Sequence, residues 1–173
     1  MNTLILGNIV ALIAASFSIF LGITKNRKKL IFIQSIQFLT YTISNIILGG
    51  ISGGIANLIS AIRNILCYKN KLTKVAILLI TSLSTILTLI FNNLGFIGLL
   101  PLFNTIIYTL FINEKNPFKF KLLFLISAIL WFIYDFVINA YTAAIFDFST
   151  IIVSTITAYQ MHKNSKKQKE QQY

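Results

Sequence analysis

Runs of Leu, Ile, Val, Phe and Ala alternate along this chain with short polar connections. A spanning helix needs about 20 mostly apolar residues. Seven segments meet or approach that length: 3–23, 30–48, 53–68, 75–91, 94–112, 120–138 and 143–161. The pattern predicts an all-α integral membrane protein with seven transmembrane helices. The third span is short, and the fourth is long enough only if little tilted.

The connections come in two kinds, in strict alternation. Lys25-Asn26-Arg27-Lys28-Lys29, Lys69 to Lys74, Lys115 to Lys121 and the tail Lys163 to Lys169 are basic. Gly49-Gly50-Ile51-Ser52, Asn92-Asn93 and Asn139-Ala140-Tyr141-Thr142 carry no lysine or arginine. With Arg63 near the basic end of the third span, all 15 lysines and arginines fall on one side. The positive-inside rule makes that side cytoplasmic, with the N-terminus outside and the C-terminus inside. The first basic cluster follows the first apolar run, whereas a secretory signal places its charges before it, so no cleavable signal is expected.

Composition excludes several classes. Of 173 residues, 56% are hydrophobic and 11% charged, against about 25% charged in soluble domains. Such a chain is neither disordered nor roomy enough outside its spans for a soluble catalytic domain. The formal charge of +11 follows from the orientation rule, so a nucleic-acid partner is not expected. One cysteine, Cys67, and one histidine, His162, make neither a disulfide nor a zinc site. No metal or cofactor is expected. No serine has both the histidine and an acid within plausible depth, so the protein is not expected to be an enzyme.

Sliding the chain by 90 residues brings its halves into register without a gap. Lys25-Asn26-x-x-Lys29 falls on Lys115-Asn116-x-x-Lys119, Tyr41 on Trp131 and Asn45 on Asp135. Gly53-Gly54-Ile55-x-Asn57-x-x-Ser60 falls on Ala143-Ala144-Ile145-x-Asp147-x-x-Thr150. The polar matches carry the argument, because polar groups inside a span are costly. Both copies place a cytoplasmic basic loop between their first and second helices, which requires an odd helix between them. The expected layout is three, one, three: a bundle over 1–70, a linker helix over 71–93, a second bundle over 94–162 and a basic tail over 163–173. Parallel repeats of this kind occur in transporters.

Gly53-Gly54-x-x-Asn57-x-x-x-x-x-Arg63-Asn64, then Leu99-Leu100-Pro101, then Trp131-x-x-Tyr134-Asp135 resembles the YgjV family of bacterial inner-membrane proteins across nearly the whole chain. More distantly, the layout looks like the SWEET, PQ-loop and PnuC (MtN3-like) superfamily of small-solute transporters. That resemblance implies a central pocket lined by an aromatic residue on the second helix of each bundle and an asparagine on the third. The matching positions are Tyr41 with Asn57, and Trp131 with Asp147, spaced by 16 residues in both halves. The chain has no Pro-Gln pair, Leu102 follows Pro101, and Asp147 stands where asparagine is expected. These departures point away from a sugar.

Asp135 and Asp147 flank Tyr141 at six residues each, and Asn45 and Asn57 flank Ile51 likewise. On antiparallel neighbours each pair shares a depth, about 9 Å at most below its turn at 1.5 Å per residue. The plainer reading of the acids is an interfacial carboxylate or an interhelical hydrogen bond. The functional one is a cavity acid binding a cation, an amine or a proton. Two carboxyls on one cavity titrate as a pair, so proton-linked transport is the expectation. Asn57 is either a neutral ligand or interhelical glue. Tyr41 and Trp131, near mid-span, suit stacking against a planar solute or cation–π contact, with an aromatic belt as the alternative. Arg63 is explained most simply by snorkelling to the interface, with an inner gate as its functional reading. Pro101 is read as a kink, either a hinge of a gate or a static bend.

The sequence therefore points to a multi-pass protein of the bacterial cytoplasmic (inner) membrane that carries a small polar solute between two bundles. Asn57 and Asp147 coordinate it, Tyr41 and Trp131 stack beside it, and Asn45 and Asp135 form an outer polar layer. The alternative is a non-transporting YgjV-type protein, an accessory subunit, scaffold or stress-related factor. Expected partners are the lipid bilayer and the solute, with a homo-oligomer left open.

Overall fold

The computed structural model describes residues 2–23, 27–112 and 116–170. Of the basic connections, Lys25, Asn26 and Lys115 lie outside the described residues. Among those described, the chain forms seven α-helices and no strand. They are α1 (Thr3–Ile23), α2 (Arg27–Ile47), α3 (Ile51–Tyr68), α4 (Lys74–Phe91), α5 (Leu100–Phe111), α6 (Pro117–Val137) and α7 (Tyr141–Glu170). Two segments, Lys74–Phe91 and Tyr141–Met161, are each long and apolar enough to cross a bilayer. The basic tail prolongs α7 as far as Glu170.

The fifth segment departs from the expectation of one continuous helix. A 3₁₀ turn at Ile97–Leu99 leads into an α5 of only 12 residues. Pro101 sits in the first turn of α5, where its missing N–H would have no intrahelical partner anyway. It starts a helix there and makes no mid-helix kink.

Local chemistry sets the other ends. Thr73 caps α4, its hydroxyl accepting from the Ala76 N–H at 3.2 Å. The Asn116 carboxamide oxygen accepts from the N–H groups of Phe118 and Lys119 at 3.0 and 3.1 Å, ahead of α6. These caps satisfy donors that the first helical turn leaves open. The α2–α3 and α6–α7 turns share one geometry. Gly49 and Asn139 have φ of 81° and 61°. The Gly50 N–H returns to the Asn45 carbonyl and the Ala140 N–H to the Asp135 carbonyl, both at 2.8 Å. This is the Schellman way of closing a helix, and it wants Gly or Asn at the left-handed position.

Burial is inverted relative to a water-soluble protein. Leu78, Leu79, Ile90, Phe96, Ile145 and Tyr159 are all exposed, while Ser44, Ser52, Asn64, Ser84, Thr88 and Thr105 are wholly buried. On α4 the buried stripe is Ile80, Ser84 and Thr88, at one residue per turn, and the remaining faces are mostly Leu, Ile and Val. On α1 it is Ala11, Ala14 and Ala15. Small residues let helix backbones approach where no water exists to drive association. A Leu- and Ile-covered exterior is stable against lipid and unstable against water.

Packing follows from these faces. Helix α2 lies between α1 and α3, and α6 between α5 and α7. Contacts of α1 with α7 and of α3 with α5 close the six into a ring, and α4 leans on α3 and α5. Asparagine side chains tie the ring at the end that holds the glycine-rich turn. Asn8 on α1 donates to the Asn139 carbonyl at 3.0 Å and accepts from the Thr142 N–H at 3.0 Å. Asn93, ahead of α5, donates to the Gly49 carbonyl at 2.9 Å.

Candidate functional site

Inside the ring lies a cavity of about 570 Å³, walled by α1, α2, α3, α5, α6 and α7. It runs from the level of Asp135 and Asp147, past Arg63, to that of Gln34 and Phe124, so it occupies the middle and the half of the molecule nearer the basic connections. Six of the eight residues singled out from the sequence line it: Tyr41, Asn57, Arg63, Trp131, Asp135 and Asp147. Asn45 and Pro101 are buried but are not part of the wall.

The acids meet across the α6–α7 contact, carboxyl to carboxyl. Asp135 is 4% exposed. Asp135 Oδ1 and Asp147 Oδ2 have no hydrogen-bond partner. Two carboxyls form a hydrogen bond only through a proton held between them. Asp135 lines the cavity, while Asn45, expected with it in an outer polar layer, is not part of the wall. Asn45 is 1% exposed and lies against Gly53, its Nδ2 without a partner. The shared distance from the turn fixed its depth but not its direction around α2.

Arg63 corrects a larger expectation. It does not snorkel. The side chain is 1% exposed, because α3 is wedged among α2, α4 and α5 and buries residues 59–61, 63 and 64. Its Nε and Nη2 donate to Asn64 Oδ1 at 3.1 and 3.0 Å, and Nη1 reaches Thr109 Oγ1 at 3.5 Å. The guanidinium carbon stands 4.8 Å from the centre of the Tyr108 ring and 5.8 Å from that of Phe38. Asn64 in turn donates to Gln34 Oε1 at 3.0 Å.

Sequence reasoning gave no role to Tyr134, which is fully buried. Its hydroxyl accepts from the Gly53 N–H at 2.8 Å and lies 3.3 Å from Ser52 Oγ, joining α6 to the start of α3. With Ala11, Ile138, Ala140 and Ala143 it forms an apolar cluster, against which Tyr41, Leu48 and Trp131 pack. Trp131 meets its ring edge to face at 5.8 Å. This cluster covers the cavity at the end away from the basic connections. The signal in the sequence was the tyrosine beside an in-span aspartate, with a glycine at the start of the facing helix.

Seven α-helices with an apolar exterior and buried polar interior define an integral membrane protein. The chain matches the family Imp-YgjV, described as bacterial inner membrane protein, over residues 5–165. It belongs to that family, and its place is the bacterial inner membrane. Neither a curated protein nor a solved structure matches it.

Proposed function

We propose that the protein carries a small polar solute across the inner membrane, bound in the cavity between α1–α2–α3 and α5–α6–α7, with α4 as the linker. In this reading the chain crosses the membrane seven times, with its N-terminus outside and its C-terminus in the cytoplasm. The two triplets are parallel repeats about an axis along the membrane normal, as in SWEET-like carriers. The matched turns at Gly49 and Asn139, 90 positions apart, support the repeat. The placement of lysine and arginine supports the orientation.

One observation carries the proposal: Tyr41, Asn57, Trp131, Asp135 and Asp147 surround one cavity between the triplets. A scaffold gains nothing from leaving carboxylate oxygens unpartnered in its interior, because each such group is destabilising. A binding site does. The Asn57 carboxamide offers both donors and an acceptor to a solute, Trp131 and Tyr41 offer ring faces, and the acids offer a place for a proton or an amine. The cavity reaches toward the basic side, while the Tyr134 cluster covers the other end, so this conformation faces the cytoplasm. Delivery to the outside requires the Tyr134 hydroxyl to leave Gly53 and Ser52.

The test is a thermal-shift screen of metabolites on the purified full-length protein, since a ligand of the folded state raises Tm. At least one polar metabolite is expected to stabilise the protein, and Asn57→Ala is expected to abolish that shift while leaving the unliganded Tm within a few degrees. A blank across sugars, nucleosides, amines and organic acids would favour a non-transporting role.

A further inference from the structure

Resting on the cavity as a solute site, we propose that its solute is zwitterionic, with an anionic group seated on Arg63 and a cationic group on the Asp135–Asp147 pair. Arg63 lines the cavity and is buried, yet among the described residues no carboxylate lies in ion-pair contact with it. A guanidinium has five N–H donors in a planar fork. Two of them converge on the one Asn64 oxygen, and a third reaches Thr109 at the long limit of a hydrogen bond. Among the described residues, the remaining N–H bonds have no acceptor.

A buried cation without a counter-ion is strongly unfavourable. The rings of Tyr108 and Phe38 offset part of that, through their negative faces. An entering anion would offset the rest and take the open donors as a fork. The side chain is also held ready for it. Asn64, itself anchored on Gln34, fixes the Nε and Nη2 edge of the fork.

The other end of the cavity has the opposite character. Asp135 and Asp147 each keep one oxygen unpartnered, and a carboxyl pair sharing one proton retains one negative charge. Asn57 and Asp147 stand equally far from their turns, and Arg63 lies six residues further along α3. The two charged ends are thus about 9 Å apart along the membrane normal, at 1.5 Å per residue. Trp131 and Tyr41 wall the space between with ring surface. A solute with a single charge would satisfy one end and leave the other as it was. A solute with both charges, separated by a short apolar or planar body, satisfies both.

The test uses purified full-length protein and straight-chain ω-amino acids from 4-aminobutanoate to 8-aminooctanoate, beside monoamines and monocarboxylates of equal length. A Tm rise is expected for the amino acids, peaking at one chain length. Each singly charged analogue should bind at least about tenfold more weakly, a difference of about 1.4 kcal/mol. Arg63→Met and Asp147→Asn should each abolish the preference. Arg63→Lys keeps the charge without the planar fork and should bind the best amino acid weakly, which covers the case in which Arg63→Met fails to fold. Equal binding of zwitterion and singly charged analogues would overturn the proposal. So would no response to any charged probe when a neutral metabolite binds through Asn57, an outcome that leaves the carrier reading standing. A blank with probes and metabolites alike would remove both.

Discussion

Tyr134→Ala is expected to lower the unfolding free energy in detergent by about 3–5 kcal/mol, the range for deleting a large buried aromatic side chain. The ring has no exposure at all and belongs to the apolar cluster that joins α6 to α1 and α7, while its hydroxyl reaches the start of α3. Tyr134→Phe keeps the ring and removes the hydroxyl. The Gly53 N–H, bonded to that oxygen at 2.8 Å, then loses its acceptor at a buried position. A loss of about 1–3 kcal/mol is expected for one buried donor left unmet. Thermal or denaturant unfolding of the three proteins in one detergent reads both values. If Tyr134→Phe and the parent unfold alike, the hydroxyl is not a tie between the two triplets.

Gly53→Ala is expected to be destabilising by about 1–3 kcal/mol through overpacking. A Cβ at Gly53 would clash with Tyr134 Cε1 and stand 2.6 Å from Asn45 Nδ2, too close unless α3 and α6 move apart. In a Tyr134→Ala background the same Cβ no longer meets the ring, and only the Asn45 carboxamide stays close. The two changes should therefore be non-additive, with the double variant more stable than the sum of the singles by about 1 kcal/mol or more. Additivity would mean that Gly53 serves α3 alone and not the close approach of Tyr134.

The helices and the polar part of the cavity wall at Asn57, Asp135 and Asp147 were legible because a polar residue in an apolar span is costly and so carries information. Asn57, Asp135 and Asp147 stand out in that way, and the offset of 90 residues pairs Tyr41 with Trp131. Direction around a helix was less legible. Asn45 shares its depth with Asn57, yet it turns to Gly53 and away from the cavity. Arg63 lies near enough to a helix end for either snorkelling or burial, and what decides is that α3 is enclosed by three other helices. No pattern on α3 alone contains that fact. Tyr134 was passed over for another reason: in a chain with 7 tyrosines and 15 phenylalanines, one more aromatic in an apolar run is set apart only by the aspartate beside it. Pro101 was read against a continuous span, although a proline fits the first turn of a helix far better than its middle.

The central claim is that the cavity between the two triplets serves a carrier, so it must open to both sides of the membrane. Cysteine labelling tests this without knowledge of the solute. In a Cys67→Ser background, Ser60→Cys and Ser127→Cys each place one thiol on the cavity wall. A membrane-impermeant maleimide is then applied to right-side-out and to inside-out vesicles. The expected result is labelling from both faces, faster from the cytoplasmic face in the parent and raised from the outer face by Tyr134→Ala. Labelling from one face alone, in the parent and in Tyr134→Ala, would contradict the claim.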